Sequence, residues 1–183
     1  MLLLASCDDR AETPPGRSGT SAPPPTPSAT ALPDPRTYTG DGFSFAYPDT
    51  WRATQPTSGL VEVVLVAPPE AEADGFLPNI NLVVEPLRND LGTREYFEGS
   101  MQVVSSTFSE FEPLDQGQTT IAGEEGRWMD YRWVNEGRTI RQRQTYLVHG
   151  ENGSVLTLTA TPDVFEEHVD SQLLVESTFR FDG

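Results

Sequence analysis

The residues of this 183-residue chain with the types and spacing to do chemistry are two histidines, one cysteine and a cluster of arginines. Nucleophilic catalysis needs a hydroxyl or thiol beside a base. His149 ends an alternating run beside a turn, and His168 lies in a segment of helical period. Both are expected at surface or edge positions. The sequence has no Gly-x-Ser-x-Gly elbow and no glycine-rich phosphate loop. No catalytic set is therefore expected. The alternative is an envelope hydrolase using His149 or His168 with a nearby serine or acid. Zinc would need more His and Cys than the chain holds. Glu70, Glu72 and Asp74 alternate without the ligand pattern of a calcium loop, and they read as a solvated acidic loop. Neither metal nor cofactor is expected.

The arginines are the local anomaly. Between Arg127 and Arg143 the chain carries five Arg against Asp130 and Glu136, a net of +3 in a chain of net charge -16. A two-residue turn at Glu136-Gly137 would set Trp133 opposite Ile140, Arg132 opposite Arg141 and Asp130 opposite Arg143. Side chains alternate between faces. Met129, Tyr131 and Trp133 then share one face with Ile140 and Tyr146. Arg132, Arg141 and Arg143 share the other with Trp128. Like charges across strands destabilise unless compensated. Either acids from a helix or loop pair with these arginines, or Trp128, Arg132, Arg141 and Arg143 form a cationic patch for an anionic ligand or protein partner. Planar, stacking guanidinium groups suit the second role.

The elements that must position these residues are legible from period. Gly126 to Thr161 is three alternating β-branched and aromatic runs joined by Glu136-Gly137 and by Gly150-Glu151-Asn152-Gly153, where Asn152-Gly153 reads as a hairpin turn. Earlier, Phe43–Tyr47, Arg52–Thr54, Leu60–Val66 and Asn79–Glu85 read as strands. Phe97, Met101, Val104, Phe108 and Phe111 recur at helical spacing, with Thr93 as the expected N-cap. Glu112–Ala122 is again extended. Thr161-Pro162-Asp163 is expected to open a second helix, with Phe165, Val169, Gln172 and Leu173 as its stripe. Ser177–Phe181 reads as a final strand. Strands in runs rather than one-for-one with helices predict an α+β fold: an antiparallel sheet of about six to eight strands flanked by two main helices.

Phe43-Ser-Phe-Ala-Tyr-Pro-Asp-Thr-Trp51, Asn79-Ile-Asn-Leu-Val-Val-Glu-Pro-Leu87, Ile121-Ala-Gly123, Leu156-Thr-Leu-Thr-Ala-Thr-Pro162 and Ser177-Thr-Phe-Arg-Phe181 occur in this order. From about Tyr38 to Phe181 the chain thus resembles the PsbP-like/DcrB domain family, which includes LpqN-type bacterial lipoproteins. The resemblance implies an antiparallel sheet sandwiched by helices, in mostly non-catalytic accessory or binding proteins with unrelated partners. It supplies no catalytic residues.

At the scale of the chain, all 12 basic residues are arginine against 28 acids. So acidic a body argues against nucleic acid and against electrostatic adhesion to anionic lipid. Leu4-Ala5-Ser6-Cys7 matches a lipobox, which makes Met1–Cys7 a partial lipoprotein signal with Cys7 as the expected lipid attachment site. Residues 8–36 are rich in Pro, Ser and Thr. They read as a disordered tether spanning roughly 30 Å as a coil and at most ~90 Å extended. The globular domain is placed at 37–183. The expectation is a lipid-anchored domain on the extracytoplasmic face of the cell membrane, serving as a binding or accessory module, or as a stabiliser of a membrane complex.

Overall fold

A computed structural model describes residues 34–56, 59–88 and 90–182. Cys7 and all but the last few residues of the expected tether lie outside them. Strands β1 (Arg36–Thr39), β2 (Phe43–Tyr47), β3 (Arg52–Thr54), β4 (Val61–Val66) and β5 (Asn79–Pro86) precede helix α1 (Thr93–Thr107). Strands β6 (Glu112–Ile121), β7 (Glu124–Asn135), β8 (Arg138–His149) and β9 (Asn152–Ala160) follow, then α2 (Phe165–Thr178) and β10 (Arg180–Phe181). Seven strands form one antiparallel sheet in the order β3-β4-β5-β9-β8-β7-β6, and β1-β2-β10 form a second, smaller one. This is the α+β, PsbP-like sandwich expected. β1 starts at Arg36, the last residue assigned to the tether, and it was not foreseen as a strand.

The meander has the register its turns dictate. Glu136 and Gly137 both adopt positive φ, 51° and 79°, the backbone of a two-residue hairpin turn. Trp133 accordingly faces Ile140, Arg132 faces Arg141 and Asp130 faces Arg143. The next turn falls at Gly150-Glu151, because His149 pairs with Asn152 and Val148 with Gly153. Asn152-Gly153 is thus part of β9 rather than the turn. Gly153 serves packing there: an added Cβ would meet the Tyr96 ring at 2.7 Å.

Both faces of the large sheet are covered. The main core lies beneath α2 and the small sheet, where Leu156, Leu158 and Ala160 meet Phe165, Val175, Phe43, Phe45 and Phe179. A smaller cluster of Tyr96, Phe97, Met101, Tyr146 and Val155 lies beneath α1. The face holding Arg141 and Arg143 is therefore the face of the larger core, since both alternate with the same ladder positions as Leu158 and Ala160.

The helix ends differ from the sequence expectation. α1 ends at Thr107, and Phe108 caps it in extended backbone. Phe108 and Phe111 still reach the sheet, stacking on Trp133 at 4.3 Å and lying 5.2 Å from Tyr131. The N-cap is Gly92. The Thr93 hydroxyl instead accepts the N–H of Val148 at 3.1 Å, so a tertiary amide has taken the group assigned to capping. α2 begins at Phe165 and runs through Thr178, leaving only Arg180–Phe181 as strand. Its buried face is Phe165, His168, Ser171, Gln172, Val175 and Glu176. Leu173 is 44% exposed, so the stripe is rotated toward His168.

Candidate functional site

Asp130 is the pivot of the arginine face. It is almost wholly buried and accepts from two guanidinium groups. Arg143 donates Nε to Oδ1 at 2.7 Å and Nη2 to Oδ2 at 3.2 Å. Arg141 donates Nη2 to Oδ2 at 3.1 Å and Nη1 to Glu166 Oε1, on α2, at 2.6 Å. Each guanidinium also lies over an aromatic ring: Arg141 over Phe165 at 4.1 Å, Arg143 over Trp128 at 4.5 Å. Burial makes such charge-assisted bonds strong once the partners are satisfied. Of the four patch residues, Trp128, Arg141 and Arg143 are thus engaged by their own neighbours.

Arg132 is different. It has no ion pair among the described residues, and its Nε, like that of Arg141, is buried without a hydrogen-bond partner. It lines a concavity of about 740 Å³ together with Arg138 and Thr161. The Thr161 hydroxyl is likewise buried without a partner. Leaving buried donors unpaired costs roughly 1–3 kcal/mol each, so two at one concavity mark a place where a ligand oxygen would be rewarded. The acids Asp74, Glu136 and Asp163 also line it and are exposed. The sequence singled out Arg132 but assigned Thr161 to capping. Nothing in local sequence shows that the chain leaving β9 passes beside β7.

The histidines sit apart in environment. His149 is about half exposed, with Nδ1 3.0 Å from Glu124 Oε1 and its ring stacked 3.8 Å from that of Phe181. His168, expected at the surface, is buried on α2 with its ring edge-on to Trp51 at 5.6 Å. Its Nε2 has no hydrogen-bond partner, and burial holds it below the usual imidazole range. Neither histidine contacts a hydroxyl, so no nucleophile–base pair is assembled among the described residues. No group of three or more metal-ligating side chains occurs there either.

A second hollow of about 390 Å³ opens between α1 and the sheet. Much of its polar floor is internally paired. Gln142 accepts from Tyr131 and donates to Thr159, while Tyr96 donates to Glu85 Oε1 at 2.6 Å. Burial, before the nearby carboxylate, pushes the Tyr96 hydroxyl far above the ordinary phenol range. The hydroxyl is therefore a fixed donor, and the Arg132 concavity is the one with unmet valence.

The comparisons accord with this architecture. No curated protein matches the sequence. Among solved structures, the fold is similar to cyanobacterial PsbP from Synechocystis (TM-score 0.58, 15% identity, 86% of this chain and 98% of that one). It is also similar to LpqN of Mycobacterium tuberculosis, described as involved in cell envelope biogenesis (0.57, 16%, 85% and 88%). A third is the Saccharomyces cerevisiae Ran-binding protein Mog1p (0.57, 12%, 81% and 95%). At these identities the likeness is one of fold. The DcrB family model matches residues 44–174, from the first core strand through most of α2, and the chain belongs to the DcrB family.

Proposed function

We propose that this protein is a lipid-anchored, extracytoplasmic accessory domain that performs no chemistry and binds one anionic group of a protein or small ligand at Arg132. The carrying observation is the pairing of two unmet buried groups, Arg132 Nε and Thr161 Oγ1, at one concavity. A guanidinium fork and a hydroxyl suit a carboxylate or phosphate oxygen. The rim acids Asp74, Glu136 and Asp163 oppose a polyanion, so the fitting ligand carries a single negative charge or is zwitterionic. The envelope location is supported by the Leu4-Ala5-Ser6-Cys7 lipobox and by likeness to a protein described as serving envelope biogenesis. That no nucleophile–base pair is assembled among the described residues is in keeping with the non-catalytic reading.

N-acetyl amino acids, which carry a single carboxylate charge, titrated against the labelled protein should shift the Thr161 amide resonance. Arg132→Ala should weaken that response about tenfold or more, the scale of a lost charge-assisted contact. Arg127→Ala is the control, because Arg127 is already paired with Glu125 at 3.0 Å. Equal titration by both variants would overturn the assignment.

A further inference from the structure

Strand β6 closes one side of the seven-stranded sheet and, among the described residues, pairs only with β7. It is ten residues long and exposed along most of its length, whereas the opposite edge, β3, has three residues. Which of its backbone groups face outward follows from its hairpin. Ile121 and Glu124 flank the two-residue turn Ala122-Gly123, both at positive φ (52° and 88°). Such a flanking pair exchanges both ladder bonds, and bonded pairs then alternate along the strands. Thr119 and Gly117 therefore bond β7, and the N–H and C=O of Gln116, Gln118 and Thr120 point away from the sheet. The Gln116 N–H fits this: it has turned to its neighbour's carboxylate, Asp115 Oδ1, at 2.8 Å.

Proteins commonly guard such an edge with a bulge, a proline or a cation. β6 has the first two at its beginning, where Pro113 precedes a register shift before Asp115. From Gln116 to Thr120 it has none. Two hollows flank this edge on the α1 face. One, of about 410 Å³, is walled by Leu114 and Met129, and Leu114 is 37% exposed. The other, of about 360 Å³, is walled by Gln118, Arg127 and Glu98. Arg127 is paired with Glu125, while Glu98 has no ion pair among the described residues.

We propose that the β6 edge takes up an extended, basic segment of a partner protein as an eighth strand. In strand addition the main chain supplies the bonds, and alternate side chains enter pockets on one face. For antiparallel addition the segment meets the Glu98 hollow first and the Leu114 hollow two residues later. It should therefore read basic-x-apolar, without proline at the residues that bond Gln118 and Thr120. Charge selects this occupant over a second copy, because each copy carries -16 and β6 holds Glu112 and Asp115 with no cation. The site opens on the face opposite the Arg132 side chain and is independent of it.

The test uses the full chain and a fluorescent peptide, Thr-Thr-Arg-Thr-Leu-Thr-Thr, read by polarisation. Saturable binding is expected, weakened about tenfold or more by Gln118→Pro, since each tenfold is one lost increment of bonding energy. That variant removes an outward N–H and leaves the β7 ladder intact, so its melting temperature should stay close to the parent's. If it misfolds, the same peptide N-methylated at alternate residues tests the bonds without altering the protein, and it too should fail to bind. Equal binding by the methylated peptide, no binding by the parent peptide, or equal binding by the Leu-Thr-Arg order would each overturn the proposal. So would a dimer of the chain that Gln118→Pro dissolves, because the edge would then belong to a second copy.

Discussion

Asp130 shows how one residue can settle a charge problem that sequence leaves open. Three arginines face one side of the β7–β8 pair, and a single buried carboxylate pairs with two of them through three hydrogen bonds. Glu166 adds a fourth from α2. Breaking a buried pair by removing one partner leaves uncompensated charge, at a cost of about 3–5 kcal/mol. Asp130→Ala should lower unfolding stability by that order in a denaturant titration, whereas Glu166→Ala, at an exposed carboxylate, should cost under about 1 kcal/mol. Comparable losses in the two variants would show that the bonds to Asp130 are not the anchor of this face. Arg132 lacks such a partner, which is why binding is assigned to it rather than to Arg141 or Arg143.

Helix α2 carries its polar groups inward. Glu176 Oε1 accepts from Thr145 Oγ1 at 2.7 Å and from Gln172 Nε2 at 3.0 Å, all within the buried interface. Burial raises the Glu176 carboxyl above its ordinary value of 4.5, outweighing those donors and the nearby charge of Arg143. A carboxyl raised in the folded state holds its proton more tightly there than when unfolded. The stability it contributes is full below about pH 4.5 and is lost as pH rises through the raised value. Glu176→Gln keeps an acceptor for both donors and removes the buried charge. Its melting temperature should exceed the parent's at pH 7, and the gap should close by about pH 4.5. His168 on the same helix acts with the opposite sign: its lowered value penalises folding as pH falls below about 6.5. A gap that widened toward acid would refute the Glu176 assignment. Of the stripe Phe165, Val169, Gln172 and Leu173, the first three do face the core and Leu173 does not, so the buried face extends instead to His168, Ser171 and Glu176. Apolar spacing gives no weight to a buried histidine or glutamate, and here tertiary hydrogen bonds set the face.

For the whole molecule, the proposed lipid anchor at Cys7, followed by the Pro-rich segment, would hold the acidic domain near a membrane. No described helix is long and apolar enough to cross one. The proposed attachment is through Cys7. Cys7→Ser should move the protein from the membrane to the soluble fraction of its host cell. Unchanged membrane association, read by fractionation and immunoblot, would reject the anchor while leaving the Arg132 and β6 proposals standing. Those two sites lie on opposite faces of one sheet, which would let the domain hold a ligand and a partner strand together.

Period-two alternation and the Glu136-Gly137 turn determined the β7–β8 register by themselves, because a hairpin turn and the side-chain alternation are local properties of backbone. The aromatic-Pro-x-x-Trp start and the ordered strand motifs likewise marked the family. Tertiary structure decided what local sequence cannot encode. It placed the larger core on the arginine face, since α2 and the small sheet return there from distant parts of the chain. It brought Glu166 of α2 to Arg141 and left Arg132 beside Thr161. It also left β6 as an edge unpaired on one side among the described residues, because strand order in a sheet is set by which elements pack together, not by any one strand's own residues.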